Sequence, residues 1–109
     1  MLVIGGSINN DDIHIEYENG RAWIKVWMNG QVAYFANEQG NNDWVDRILV
    51  YGQAGNDCIH VDKKVREPSL LDGGAGNDWI EAGRGDNILI GGPGNDTLIG
   101  EQGADLLIG

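Results

Sequence analysis

The chain has 109 residues, enough for one small domain. Acids outnumber bases 17 to 7, giving a formal net charge of −10, so a basic nucleic-acid footprint is excluded by repulsion from phosphate. A single cysteine, Cys58, excludes an internal disulfide framework, and no apolar run approaches the roughly 18 residues of a membrane-spanning helix.

The opening Met1-Leu2-Val3-Ile4 is too short for the apolar stretch of a signal peptide and meets Gly5-Gly6 at once, so export would need another route or a further segment. The 18 glycines in an acidic chain would ordinarily suggest disorder. With 41% hydrophobic residues and two prolines, that reading fails if the glycines are periodic.

Residues 1–51 carry no clean repeat. A weak echo ends Asn10-Asp11-Asp12-Ile13, and another ends Asn42-Asp43-Trp44-Val45. Asp11 and Asp43 read either as solvated turn residues or as degenerate metal contacts. Between them Ile13, Ile15 and Tyr17 alternate with His14, Glu16 and Glu18, and Asn19-Gly20 follows. Ile24, Val26 and Met28 then alternate with Trp23, Lys25 and Trp27, followed by Asn29-Gly30 and a third alternating run over 32–35. Two Asn-Gly turns between alternating runs predict a three-stranded antiparallel meander over roughly 11–36. Residues 47–51 read as a strand leading out of this region.

The second half is periodic. Blocks of nine run GGAGNDWIE (73–81), AGRGDNILI (82–90), GGPGNDTLI (91–99) and GEQGADLLI (100–108), and GQAGNDCIH (52–60) fits the same frame. Position 4 is glycine throughout, position 6 is Asp57, Asp78, Asp96 or Asp105 in four blocks, and position 8 is always aliphatic. Glycines permit positive φ in a tight loop, and the last three residues form a short strand with its central side chain inward. Such strands must stack on copies of themselves, one rung roughly 4.8 Å from the next. Two blocks then make one turn of a flattened coil.

Stacking brings Asp57, Asp78 and Asp96 into one column, provided the irregular stretch 61–72 fills the opposite half-turn. Carboxylates one rung apart repel by about 1 kcal/mol at bulk dielectric and about 3–4 kcal/mol at an effective value near 20. A cation between rungs removes that cost. The donors available are carboxylates and loop carbonyls, hard oxygens that suit calcium better than zinc, copper or magnesium.

These blocks resemble the glycine- and aspartate-rich nonapeptide of RTX (haemolysin-type) calcium-binding proteins. The resemblance covers 52–60 and 73–109. It implies an all-β chain folded as a right-handed parallel β-roll (a β-solenoid), with calcium between same-side loops, and a secreted, extracellular location. Carried over residue by residue, it implies carboxylate ligands at Asp57, Asp78 and Asp96 on one edge and Asp105 on the other. Asn87 would supply an amide oxygen, and Gly74, Gly76, Gly92 and Gly94 backbone carbonyls. Block 82–90 departs from the pattern at Ala82 and Asn87, and Gln53 and Glu101 replace the second glycine. Two well-built sites are expected on the first edge, between loops 52–57 and 73–78 and between 73–78 and 91–96. A third is expected between 82–87 and 100–105.

The expected organisation is an N-terminal meander or degenerate-repeat cap, 1–51, followed by a calcium-binding β-roll, 52–109. The open edges of such a coil are the expected place for self-association, which the meander would block at one end. Trp23 and Trp27 share a face with Lys25 and read as cross-strand packing, with sugar stacking the alternative. His14 and His60 read as isolated surface histidines, and Cys58 as an outward thiol. Arg84-Gly85-Asp86 and Asn95-Asp96-Thr97 follow from loop chemistry. No hydrolase, metalloprotease or dinucleotide motif occurs, so the chain carries no catalytic constellation. It reads as a structural calcium-binding module; an appendage of a larger secreted hydrolase or toxin, and an adhesin or carbohydrate-binding module, are the alternatives.

Overall fold

The computed structural model describes residues 1–20, 23–36 and 45–109. The Asp43 echo lies outside the described residues. Within them the chain is all-β, with eleven strands and no helix. They are β1 (Leu2–Gly5), β2 (Asp12–Glu18), β3 (Trp23–Met28), β4 (Gln31–Ala36), β5 (Ile48–Tyr51), β6 (Cys58–Val61), β7 (Ser69–Asp72), β8 (Trp79–Glu81), β9 (Asn87–Ile90), β10 (Thr97–Ile99) and β11 (Leu106–Ile108).

The strands form two sheets. One has the order β1-β5-β7-β9-β11 and is parallel throughout. The other has the order β10-β8-β6-β2-β3-β4, parallel as far as β2 and antiparallel beyond it. From β5 onward consecutive strands alternate between the sheets. The three-strand meander is present, with Asn19 and Asn29 at φ 56° and 52° entering its two turns.

Sequence reasoning missed that the meander is not separate from the repeats. Its first strand, β2, is a rung of the second sheet, with Ile13 opposite Ile59. In the same way β1 and β5 are rungs of the first sheet, so parallel pairing crosses the 51/52 boundary on both sides.

The core lies between the sheets. Ile13, Ile15, Ile48, Val50, Ile59, Leu71, Ile80 and Leu89 are fully buried. Ile59, Ile80 and Leu89 are position-8 residues, pointing inward as the pattern requires. Leu98 is only partly buried, and Leu107, on the outermost rung of its sheet, is 44% exposed. A three-residue strand buries one large side chain, so the sheets are held by the sum of many such rungs.

The irregular stretch 61–72 supplies β7, in register between β5 and β9. Its three extra residues are taken up in a surface turn, where Val65 N donates to Asp62 O at 2.9 Å and Lys64 N to Asp62 Oδ1 at 2.9 Å. Equivalent aspartates are therefore 21 residues apart across this stretch and 18 apart across the next turn.

Candidate metal centre

Each nine-residue block delivers its position-6 side chain to the inner side of the loop, immediately before the strand. Asp57, Asp78 and Asp96 stack in one column because β6, β8 and β10 pair in register, Cys58 opposite Trp79 and Trp79 opposite Thr97. The column extends one rung further than the repeats suggested: Asp11 occupies the same place before β2. One oxygen of each carboxylate in the repeats is used structurally. Asp11 N donates to Asp57 Oδ1 at 2.7 Å, Asp57 N to Asp78 Oδ1 at 2.8 Å, and Asp78 N to Asp96 Oδ1 at 2.8 Å.

The other oxygens have no donor. Oδ2 of Asp57, Asp78 and Asp96 is buried and without a hydrogen-bond partner. Burying an ionised carboxylate with an unmatched oxygen is costly. Burial, with the neighbouring carboxylates adding to it, pushes Asp57 and Asp78 up to about 6.

Backbone acceptors crowd the same space. A Cβ on Gly52 would meet Asp57 Oδ2 at 2.7 Å and the Gly73 carbonyl oxygen of the next rung at 2.8 Å, so two acceptors face one point. A Cβ on Gly92 would meet the Gly74 carbonyl at 2.5 Å, and one on Gly94 would run into that of Gly76. These carbonyls are thus aimed across the gap between loops. Gly76 and Gly94 hold φ of 114° and 119°, a conformation closed to ordinary side chains. Gln53 and Glu101 nevertheless keep positive φ, 70° and 62°, where the pattern would have glycine.

Orphaned carboxylate oxygens and converging carbonyls make a donor set of hard oxygens, which fits a calcium ion. Among the described residues no three histidine, cysteine, aspartate or glutamate side chains form a metal-holding group. A cation here would be shared between carboxylates and backbone.

Two other position-6 slots are filled differently. Asp11 receives Ser7 N at 2.6 Å, Ser7 Oγ at 2.9 Å and Asn29 Nδ2 at 2.9 Å. Burial opposes ionisation of Asp11, but these donors outweigh it and hold the carboxyl below its ordinary value. In the same gap Gln53 Nε2 donates to Gly6 O at 2.9 Å.

On the opposite edge Asn87 is 1% exposed. Its Oδ1 accepts from Ser69 N at 3.1 Å and Ser69 Oγ at 2.7 Å, while its Nδ2 donates to Gly83 O at 3.1 Å and Gly85 O at 2.7 Å. Asp105 accepts from Asn87 N at 2.9 Å. The structure therefore stacks Asp57, Asp78 and Asp96 together and puts Asn87 and Asp105 on the other edge. Neither Ser69 nor the Asn29 contact with Asp11 was legible from spacing.

Residues 72–108 match the family model of the RTX calcium-binding nonapeptide repeat, in four copies. Those residues carry the RTX repeat. The match spans about a third of the chain and is to a non-catalytic, calcium-binding structural repeat. No curated protein and no solved structure matches the chain.

The expectation of isolated histidines fails. His14 and His60 stand opposite each other on β2 and β6, with ring centroids 5.5 Å apart. A sequence separation of 46 residues hid a contact that the parallel pairing of β2 with β6 imposes. Trp27 packs edge-on against His14 at 5.4 Å, the cross-strand packing expected of it.

Proposed function

We propose that the chain is a calcium-binding structural module of a secreted protein, folded as a right-handed parallel β-roll, without catalytic activity of its own. The supporting observation is the column of three buried carboxylate oxygens with no donor. Calcium is held by Asp57, Asp78 and Asp96, with carbonyl oxygens of Gly74, Gly76, Gly92 and Gly94 completing the set. Two ions are expected, one in each gap of this column. When bound, calcium supplies the positive charge that lets the rungs stack with their carboxylates ionised.

The chain's own residues do the rest. Glycines at positive φ turn their carbonyls into the gaps, and the inward Ile59, Ile80 and Leu89 bury once the rungs lock. Asn87 serves the second edge through its own hydrogen bonds, which makes it a structural residue rather than a ligand. Folding of residues 52–109 is coupled to calcium, so ordering awaits a calcium-rich compartment.

Circular dichroism in chelator, then with calcium, tests this. Strand signal should rise with calcium and not with the same concentration of magnesium. An identical spectrum in all three conditions, together with no heat of calcium binding, overturns the reading.

A further inference from the structure

The outer face of the second sheet carries a cluster that the calcium column does not use. Register places Asp12 opposite Cys58, and His14 opposite His60, which stands opposite Glu81. His14 Nε2 is 2.7 Å from Asp12 Oδ1, and His60 Nδ1 is 3.3 Å from Glu81 Oε1. His14 therefore has one nitrogen hydrogen-bonded to a carboxylate and His60 has one at ion-pair distance from a carboxylate, and among the described residues the other nitrogen of each ring makes no hydrogen bond. Both side chains reach solvent, at 45% and 35% exposure.

This is the arrangement in which a carboxylate fixes a histidine ring and raises its basicity toward a metal on the opposite nitrogen. Geometry agrees. With metal–nitrogen bonds of about 2.0–2.1 Å, two imidazoles on one tetrahedral ion have ring centres roughly 5 Å apart. The rings here are 5.5 Å apart and tilted by 31°. The surrounding charge is negative, with Asp12 and Glu81 flanking the pair.

We propose that His14 and His60 form a second, transition-metal site on this face, of a class that takes zinc. It is separate from the aspartate column in position and chemistry, since imidazole nitrogen suits zinc and carbonyl oxygen suits calcium. Two imidazoles are the protein's share, because no third side chain of ligating type joins them among the described residues. Water completes the sphere. Cys58 stands opposite Asp12, one step along the strands from the histidine pair, and does not join the two imidazoles in a three-ligand group. Asp12 and Glu81 are positioning residues.

The test is calorimetric titration of the calcium-saturated chain with zinc chloride, calcium in excess to fill the column. One zinc should bind. His14→Gln and His60→Gln should each weaken zinc about tenfold or more while leaving the calcium isotherm unchanged. Glu81→Gln should weaken zinc while both imidazoles remain, and Cys58→Ser should leave it unaltered. The histidines are on the solvent side, so these variants should keep the wild-type dichroism spectrum. Zinc binding that survives either histidine change, or that disappears as calcium is raised, overturns the proposal. Because the readout is zinc heat with and without calcium, failure here is distinguishable from failure of the calcium reading.

Discussion

The two edges of this molecule answer one problem in different ways. Every nine-residue block pushes a polar side chain into the gap beneath its own loop. On the first edge Asp57, Asp78 and Asp96 bring two acceptor oxygens each into a space already lined with acceptors, and one oxygen of each is left without a donor. On the second edge Asn87 brings an NH₂ group, which donates to the carbonyls of Gly83 and Gly85. Exchange of one oxygen for one nitrogen changes the slot from one that calls for a cation to one that closes on itself. Asp11 shows a third solution: the carboxylate stays, and Ser7 and Asn29 supply the donors.

Removing the column's central member separates the two edges. Asp78 borders both gaps, whereas Asp105 borders neither gap of the first edge. Asp78→Ala should weaken calcium binding by roughly a hundredfold or more, and Asp105→Ala by about threefold or less. Equal losses in calorimetric titration would mean that the edges are equivalent.

A smaller effect concerns pH. Burial pushes the Asp57 and Asp78 carboxyls up to about 6 in the folded chain, from the ordinary carboxylate value of 3.8. A carboxyl whose folded value is raised contributes stability that is fully present below its unfolded value and lost as pH rises through the folded one. In chelator the chain should therefore retain more strand signal at pH 5 than at pH 7.5. Saturating calcium should cancel or reverse that order. An identical strand signal at these pH values in chelator would contradict the burial of the two carboxyls.

The smallest effect on calcium concerns Asp11. Asn29→Ala removes the hydrogen bond to Asp11 and the one accepted from Asp12 N, puts alanine at positive φ, and should cost about 2 kcal/mol in chemical denaturation of the calcium-loaded chain, with calcium stoichiometry unchanged. Acquisition of an additional calcium ion by this variant would show that the gap below Asp11 was only narrowly closed.

Much of this was legible in the chain. Alternation and two Asn-Gly turns located the meander, and the nonapeptide frame located the column of Asp57, Asp78 and Asp96. What stayed hidden was long-range register. Asp11 lies 46 residues from Asp57, and only the N-D-x-aliphatic echo at 10–13 hinted that it shares the column. The same separation concealed the pairing of His14 with His60. Residue type alone makes Asn87 an oxygen donor, because its second function depends on two carbonyls whose direction only the folded loop reveals. Local pattern specifies the rung; it does not say which distant segment forms the next one when a meander is inserted between them.

The most direct test is to turn the second edge into the first. Asn87→Asp replaces the two amide donors with an acceptor oxygen, leaving the carbonyls of Gly83 and Gly85 facing a carboxylate. Calcium titration of this variant beside the wild type should give one additional bound ion. An unchanged number of ions, with the variant folded and Asp57, Asp78 and Asp96 intact, would contradict the claim that an unmatched buried oxygen is what makes a gap in this fold a calcium site.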